Sequence, residues 1–278
     1  MSRSVISVVE VAEKQANKHF KLVDASWHMP AQQRDARQEY LDGHIARAVF
    51  FDLDECVTES PLPHMLPSPA QFAAYARALG LSNDDEIVVY DTQGIFSAAR
   101  VWWMFKQFGA KQVSVLDGGL PAWQAANLPL NQGVVNTLPG SFEATDSTPL
   151  VATAADVLSA LQDSTTSVVL DARSLERFSG EQKEPRQGLR SGHMPGARCM
   201  PYHSLLNNGH LKPNVELEQL LVEYLDKRII TSCGSGVTAA IICLALEAIG
   251  AEQVQLYDGS WSEWGADAAL PVVTGRAG

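Results

Sequence analysis

One series of motifs occurs twice along the 278 residues. Leu22-Val23-Asp24-Ala25 returns as Val169-Leu170-Asp171-Ala172, and Gly43-His44-Ile45 followed by Ala48 returns as Gly192-His193-Met194 followed by Ala197. Ile87-Val88-Val89-Tyr90-Asp91 returns as Ile229-Ile230-Thr231-Ser232-Cys233, and Val115-Leu116-Asp117-Gly118 with Trp123 returns as Leu256-Tyr257-Asp258-Gly259 with Trp264. Leu128-Pro129 is echoed by Leu270-Pro271. The offset stays between 141 and 149 residues across all of these, so the chain reads as two homologous domains rather than one continuous fold.

Each copy alternates short β-branched runs with longer helical stretches, the pattern of an α/β domain on a mainly parallel sheet flanked by helices. Strands are expected at 21–25, 48–51, 87–90 and 113–116, then at 167–172, 198–201, 228–232 and 253–257. Helices are expected at 69–79, 97–108 and 120–126, then at 153–162, 216–224 and 237–249. Domains at 1–130 and 151–278 follow, joined by a linker at 131–150 that carries Gly133, Pro139, Gly140, Ser141, Ser147 and Pro149.

The duplication gives meaning to one difference. Where the first copy ends its strand on Asp91, the second ends on Cys233, at the head of Cys233-Gly234-Ser235-Gly236-Val237-Thr238 and an apolar helix. A glycine-containing loop between strand and helix turns its backbone N–H groups inward, and the helix adds the positive end of its dipole. Negative charge on a sulfur held there is favoured, which makes Cys233 a candidate nucleophile. Only the second copy can perform thiol chemistry, because the first carries a carboxylate at that position.

Composition narrows the partners. A formal charge of −11 argues against general affinity for nucleic acid or an anionic membrane surface, and no apolar run approaches a membrane span. The first residues, running into Glu10, Glu13 and Lys14, form no signal-peptide core, and the four cysteines show neither a Cys-x-x-Cys pair nor zinc spacing. A reducing, cytoplasmic setting is the simplest expectation, with no metal site.

The loop 233–239 and the run Tyr257-Asp-Gly-Ser-Trp-Ser-Glu-Trp264 together resemble the two-domain rhodanese family over about residues 5 to 273. The resemblance implies two tandem rhodanese-like domains and a sulfurtransferase that carries sulfur as a persulfide on Cys233 without a cofactor. Gly234 and Ser235 stand where thiosulfate-using members typically carry basic residues, so the chain is most similar to members whose donor is 3-mercaptopyruvate. Thiosulfate is a compact dianion and favours cations beside the thiolate. Mercaptopyruvate holds its carboxylate several bonds from its sulfur, which leads one to expect positive charge farther off. A source is at hand in residues 173–198, where Arg173, Arg177, Lys183, Arg186, Arg190 and Arg198 face Glu176, Glu181 and Glu184. By resemblance, Arg177 and Arg186 bind the substrate carboxylate, Asp54, His64 and Ser235 form a proton relay, and Gly234, Ser235, Gly236, Val237 and Thr238 cradle the persulfide. The implied acceptor is cyanide or a thiol such as that of a thioredoxin. Thiosulfate:cyanide sulfur transfer is the alternative activity, and a non-catalytic rhodanese-like binding module the alternative class. A cysteine phosphatase is disfavoured, because Ala239 stands where its Cys-x5-Arg loop requires arginine and the loop is uncharged. His44 and His193, kept in both copies, read as scaffold, and Trp123, Trp261 and Trp264 as packing residues at the domain surfaces.

Overall fold

The computed structural model describes residues 4–145 and 150–276, so Ser147 and Pro149 of the expected linker lie outside the described residues. The chain forms two compact units: Met1–Thr58, Leu66–Thr148 and Asn208–Leu211 make unit 1, and Glu59–Met65, Pro149–Asn207 and Lys212–Gly278 make unit 2.

In unit 1 the strands are β1 (Val5–Ile6), β2 (Phe20–Asp24), β3 (Val49–Phe50), β4 (Glu86–Tyr90) and β5 (Gln112–Leu116). In unit 2 they are β6 (Val151–Ala152), β7 (Ser167–Asp171), β8 (Arg198–Cys199), β9 (Arg228–Ser232) and β10 (Val254–Tyr257). Among the described residues each set makes one five-stranded sheet, ordered β1-β5-β4-β2-β3 and β6-β10-β9-β7-β8, with every pairing parallel. The two orders are the same permutation, so the repeat is a repeat of topology. The helices of unit 1 are α1 (Val8–Lys14), α2 (Ala36–Asp42), α3 (Pro69–Ala78), α4 (Ser97–Gln107) and α5 (Gly119–Ala125). Those of unit 2 are α6 (Ala154–Gln162), α7 (Leu175–Ser179), α8 (Asn214–Leu221), α9 (Ala239–Ala248) and α10 (Ser260–Trp264). Among the described residues no helix is long and apolar enough to cross a membrane.

Local signals recur with the topology. Ser7 caps α1 in a reciprocal box with Glu10, and Thr153 caps α6 in the same way with Asp156. One core is built twice at equivalent positions: Ile6, Val11, Leu22, Ile45, Val88, Leu116, Leu120 and Trp123 in unit 1 answer to Ala152, Val157, Val169, Met194, Ile230, Tyr257, Trp261 and Trp264 in unit 2. The Leu-Pro echo also has a physical reason, because Trp123 Nε1 donates to Pro129 O at 3.0 Å and Trp264 Nε1 to Pro271 O at 2.8 Å. These tryptophans are not surface packing, as expected from sequence, but fully buried core residues.

Three further differences separate expectation from structure. The sheet-edge strands β1, β6 and the helices α1, α2, α7 and α10 have only two to seven residues, too short for a periodic signal. Helix α8 starts at Asn214 and ends at Leu221, with 222–224 continuing as a 3₁₀ turn, and α9 begins at Ala239 because Val237 and Thr238 belong to the loop. The described part of the linker is packed chain. Leu130–Asn131 pairs antiparallel with His44–Ile45, and Phe142 is fully buried against Phe72 and Phe105 at 5.6 and 6.0 Å.

Candidate active site

The site in unit 2 grows from the end of β9, where the chain leaves the central strand and turns into the buried helix α9. Cys233 is the first residue of the turn and only 2% exposed. Gly236 takes φ +77°, a left-handed conformation that a side chain would strain. The loop is tied down from its far side by α10. Trp261 N donates to Cys233 O at 2.9 Å, while Ser262 N and Oγ donate to Gly234 O at 2.9 and 2.6 Å. Ser260, a buried non-glycine residue at φ +49°, accepts from Cys233 N at 3.2 Å and donates to Tyr257 O at 2.8 Å.

A cationic wall stands over this loop. A Cβ on Gly234 would lie 3.1 Å from Arg177 Nη2 and 3.6 Å from Arg186 Nη1, so the missing side chain is what admits both guanidinium groups. Positive charge therefore sits beside the residue following the thiol, closer than the charge argument from sequence placed it. Arg186 Nη2 donates to Ser235 Oγ at 3.2 Å, and the same hydroxyl meets His64 Nδ1 at 3.1 Å. With Arg186 as donor, the serine keeps its own proton for the imidazole. Burial lowers the pKa of Arg186, opposed by the charge of Cys233 and reinforced by Arg177.

The two arginines are held differently. Arg177 Nε and Nη2 are both engaged by Glu184, at 3.2 and 2.6 Å. Glu184 also accepts from Arg173 Nη1 at 2.9 Å, and its side chain is only 2% exposed. Arg173 in turn grips Asp171 through Nε and Nη2 at 3.1 and 2.7 Å, donates to Gly192 O, and stacks on Trp261 at 4.1 Å. Burial opposes the charge on Arg173, but Asp171 and Glu184 more than offset it and its pKa is raised. Segment 173–198 is thus a built network and not a solvated loop. Arg190 is likewise spent on structure, donating to the carbonyls of Gly265, Leu270, Trp264 and Asp267.

Unit 2 thus brings together Cys233, Gly234, Ser235, Gly236, Arg177, Arg186 and His64, the last held buried at φ +59°. Asp54 belongs to unit 1, where it is exposed and takes Trp27 Nε1 on both oxygens at 3.1 and 3.0 Å.

The counterpart loop in unit 1 is already occupied by its own side chain. The buried Asp91 carboxylate accepts from Gln93 N at 2.8 Å, Phe96 N at 2.7 Å and Ala98 N at 2.9 Å. Burial raises its pKa against the pull of these N–H groups. Gly94 takes φ +106° where Gly236 takes +77°.

His44 and His193 sit in matching scaffold niches. Each Nδ1 bonds a backbone oxygen, Tyr40 O at 2.8 Å or Phe178 O at 2.9 Å, and each ring stacks on that same residue. Burial pushes the thiols of Cys56 and Cys199 up to about 12, so both are poor nucleophiles, and Cys243 meets Thr231 Oγ1 at 3.2 Å in the core. Sequence reasoning missed Ser260 and the Arg173–Glu184 pair. The usable signal was again a difference between copies: Ser260 replaces Gly119, and Arg173 replaces Ser26.

Comparison with known proteins agrees with this geometry. The rhodanese-like domain model matches residues 7–126 and again 153–267. A 3-mercaptopyruvate sulfurtransferase of Escherichia coli K12 is 46% identical over 268 residues, covering 94% of this chain and 95% of that protein. A thiosulfate sulfurtransferase of Gallus gallus is 41% identical over 251 residues, covering 88% and 86%. The solved structure of an E. coli 3-mercaptopyruvate sulfotransferase with the rhodanese fold superposes with a TM-score of 0.86 at 42% identity, covering 94% of this chain and 99% of that one. The chain belongs to the rhodanese family, with two copies of its domain.

Proposed function

We propose that the protein is a sulfurtransferase that takes sulfur from 3-mercaptopyruvate onto Cys233 and passes it to a thiol or cyanide, releasing pyruvate. The observation that carries this reading is the open face of Gly234, where Arg177 and Arg186 converge beside the thiol-bearing loop. Guanidinium forks at that spot suit the carboxylate of a donor whose sulfur reaches Cys233.

The Cys233 thiolate attacks the donor sulfur, and the carbon–sulfur bond breaks with its electron pair going to carbon as the enolate of pyruvate. The donor thiol has one proton to lose and the enolate carbon needs one. Ser235 and His64, hydrogen-bonded to each other, are placed to move it, and Asp54 is assigned to the same relay by its motif. The N–H groups of residues 234–238 receive the charge of the persulfide. An acceptor thiolate then takes the outer sulfur, returning the electron pair to Cys233, and a thioredoxin is one such acceptor. Domain limits at 1–130 and 151–278 and a cytoplasmic setting belong to the same reading.

Thiosulfate is the second donor considered, favoured by the 41% identity to the Gallus gallus enzyme and by the closeness of the arginines to the loop. Steady-state kcat/KM with the two donors side by side decides between them. A clear preference for mercaptopyruvate is expected, and equal efficiency would remove the donor assignment while leaving sulfur transfer intact.

A further inference from the structure

We infer that Glu184 is a positioning residue that sets the charge of the donor site, tuning it to a monoanionic rather than a dianionic sulfur donor. This rests on the proposed sulfur transfer at Cys233.

The chain of contacts from the core to the loop is Asp171, Arg173, Glu184, Arg177. Each link is a charge-assisted hydrogen bond between groups that are wholly or largely buried, where Coulomb interactions are strong and a misplaced charge is costly. The four side chains sum to zero. Arg186 is the remaining cation at the loop, and among the described residues it forms no ion pair, only the bond to Ser235 Oγ. Beside the Cys233 thiolate, which meets every donor alike, these side chains therefore present one net positive charge to a donor.

That single charge matches the carboxylate of a mercaptopyruvate whose sulfur is still protonated. It is one charge short for thiosulfate. Glu184 does two things at once: it aims the Arg177 fork past Gly234, and it cancels the charge that Arg177 would otherwise lend to the donor. A neutral glutamine at this position keeps an oxygen for Arg177 but frees its charge, raising the site from one net positive charge to two.

The test is kcat/KM for mercaptopyruvate and thiosulfate in the parent, in Glu184→Gln, in Glu184→Asp and in Glu184→Gln combined with Arg177→Gln. We expect Glu184→Gln to move the thiosulfate-to-mercaptopyruvate ratio toward thiosulfate by roughly tenfold or more. Glu184→Asp, which keeps the charge, lowers kcat for both donors and leaves the ratio near the parent's. The double variant, back at one net charge, returns the ratio toward the parent's although its overall rate is lower. A purely structural role would depress both donors together in every variant, and an unchanged ratio in Glu184→Gln overturns the inference. Should Glu184→Gln fail to fold, Arg177→Gln alone probes the opposite direction: with Glu184 uncompensated, thiosulfate must lose more than mercaptopyruvate, and an equal loss overturns the inference. A parent enzyme that prefers thiosulfate refutes the donor assignment and is read separately, because the Glu184 inference is judged by the direction of the ratio and not by its starting value.

Discussion

The two strand-to-helix loops, 91–98 in unit 1 and 233–240 in unit 2, have the same place in the same topology and opposite uses. In unit 1 the loop N–H groups close on the Asp91 carboxylate, an anion supplied by the chain itself. In unit 2 the corresponding N–H groups of Ser235 and Thr238 have no protein acceptor among the described residues, and the residue at the centre is the thiol of Cys233. The first loop thus displays the anion-gathering geometry of the second, with a carboxylate where a charged sulfur would lie. It teaches that the cradle is a property of the fold, whereas the chemistry comes from what is added: a nucleophile, the Gly234 opening, and the arginines that reach it.

The largest effect expected from breaking this contrast is loss of the nucleophile. Cys233→Ser abolishes transfer and the cyanide-labile sulfur, whereas Cys199→Ser and Cys243→Ser retain both. Asp91→Cys in the Cys233→Ser background places a thiol in the first cradle without the arginine pair. Mass spectrometry after incubation with donor is expected to find no added sulfur there. Sulfur on residue 91 would mean that the cradle alone suffices.

A second contrast lies one strand over and concerns stability. Asp171 is bound by Arg173 through the guanidinium Nε and Nη2, while its counterpart Asp24 has no arginine and accepts instead from Ser26 N and Oγ on one oxygen. Burial raises the Asp24 pKa from 3.8 to about 6, with the Ser26 bonds pulling back. A raised carboxyl pKa means the folded chain holds the proton more tightly. The stability this gives is complete below the unfolded value and lost as pH rises through about 6. Asp171→Asn should destabilise by about 3 kcal/mol, the low end for a broken buried pair because Glu184 still faces Arg173. Asp24→Asn should gain about 1–2 kcal/mol at pH 8, allowing for burial of the new amide, and the gain should vanish between pH 6 and 4. Urea unfolding of both variants across that range checks the sign, and a loss for Asp24→Asn at pH 8 would contradict it.

The arginines sharpen the comparison at the level of binding. Replacing either Arg177 or Arg186 with Ala removes a charge-assisted contact of roughly 1.5–3 kcal/mol, a loss of about 10- to 150-fold in kcat/KM for mercaptopyruvate. Arg186→Ala should be the more damaging, since its charge is the uncompensated one. His64→Ala should act mainly on kcat and its pH profile, because the proposed role of this residue is to handle protons rather than to anchor the donor. Unchanged kcat/KM in both arginine variants would move the carboxylate site elsewhere.

Most of the architecture was legible because duplication doubles every signal. The strand motifs, both loops and the Leu-Pro echo beside each tryptophan each appear twice at an offset of 141–149 residues. The elements that stayed hidden are those too short to carry a period, such as β1, β6 and α7, whose pairing and caps come from tertiary contacts. Within the site, Cys233 and the glycines announced themselves through backbone chemistry. His64 and the two arginines needed the family resemblance, because long-range contacts such as His64 to Ser235 leave no local trace. Glu184 was hidden by its own balance: counted among the acids of a basic segment, it looked like dilution of the charge and is instead the residue that aims it.

The smallest effect expected concerns the residue that backs the cradle. Gly119 and Ser260 occupy equivalent turns at φ +55° and +49°. In unit 1 a Cβ there would collide with Asp91 O, so only glycine fits; in unit 2 there is room, and the serine hydroxyl holds the Cys233 N–H. A non-glycine residue in this conformation costs on the order of 1 kcal/mol, which the two hydrogen bonds of Ser260 Oγ offset. Ser260→Gly relieves the strain while deleting both bonds, so stability should change by less than about 1 kcal/mol. Ser260→Ala keeps the strain and loses the bonds, so it should be less stable than Ser260→Gly by about 1 kcal/mol. Both variants free the Cys233 N–H and loosen the loop, and both should lose a similar, roughly threefold to tenfold factor in kcat with little change in KM. Thermal unfolding and steady-state kinetics on the pair separate the two roles. If Ser260→Gly matches the parent in kcat, the hydroxyl serves the turn alone and contributes nothing to the placement of the sulfur.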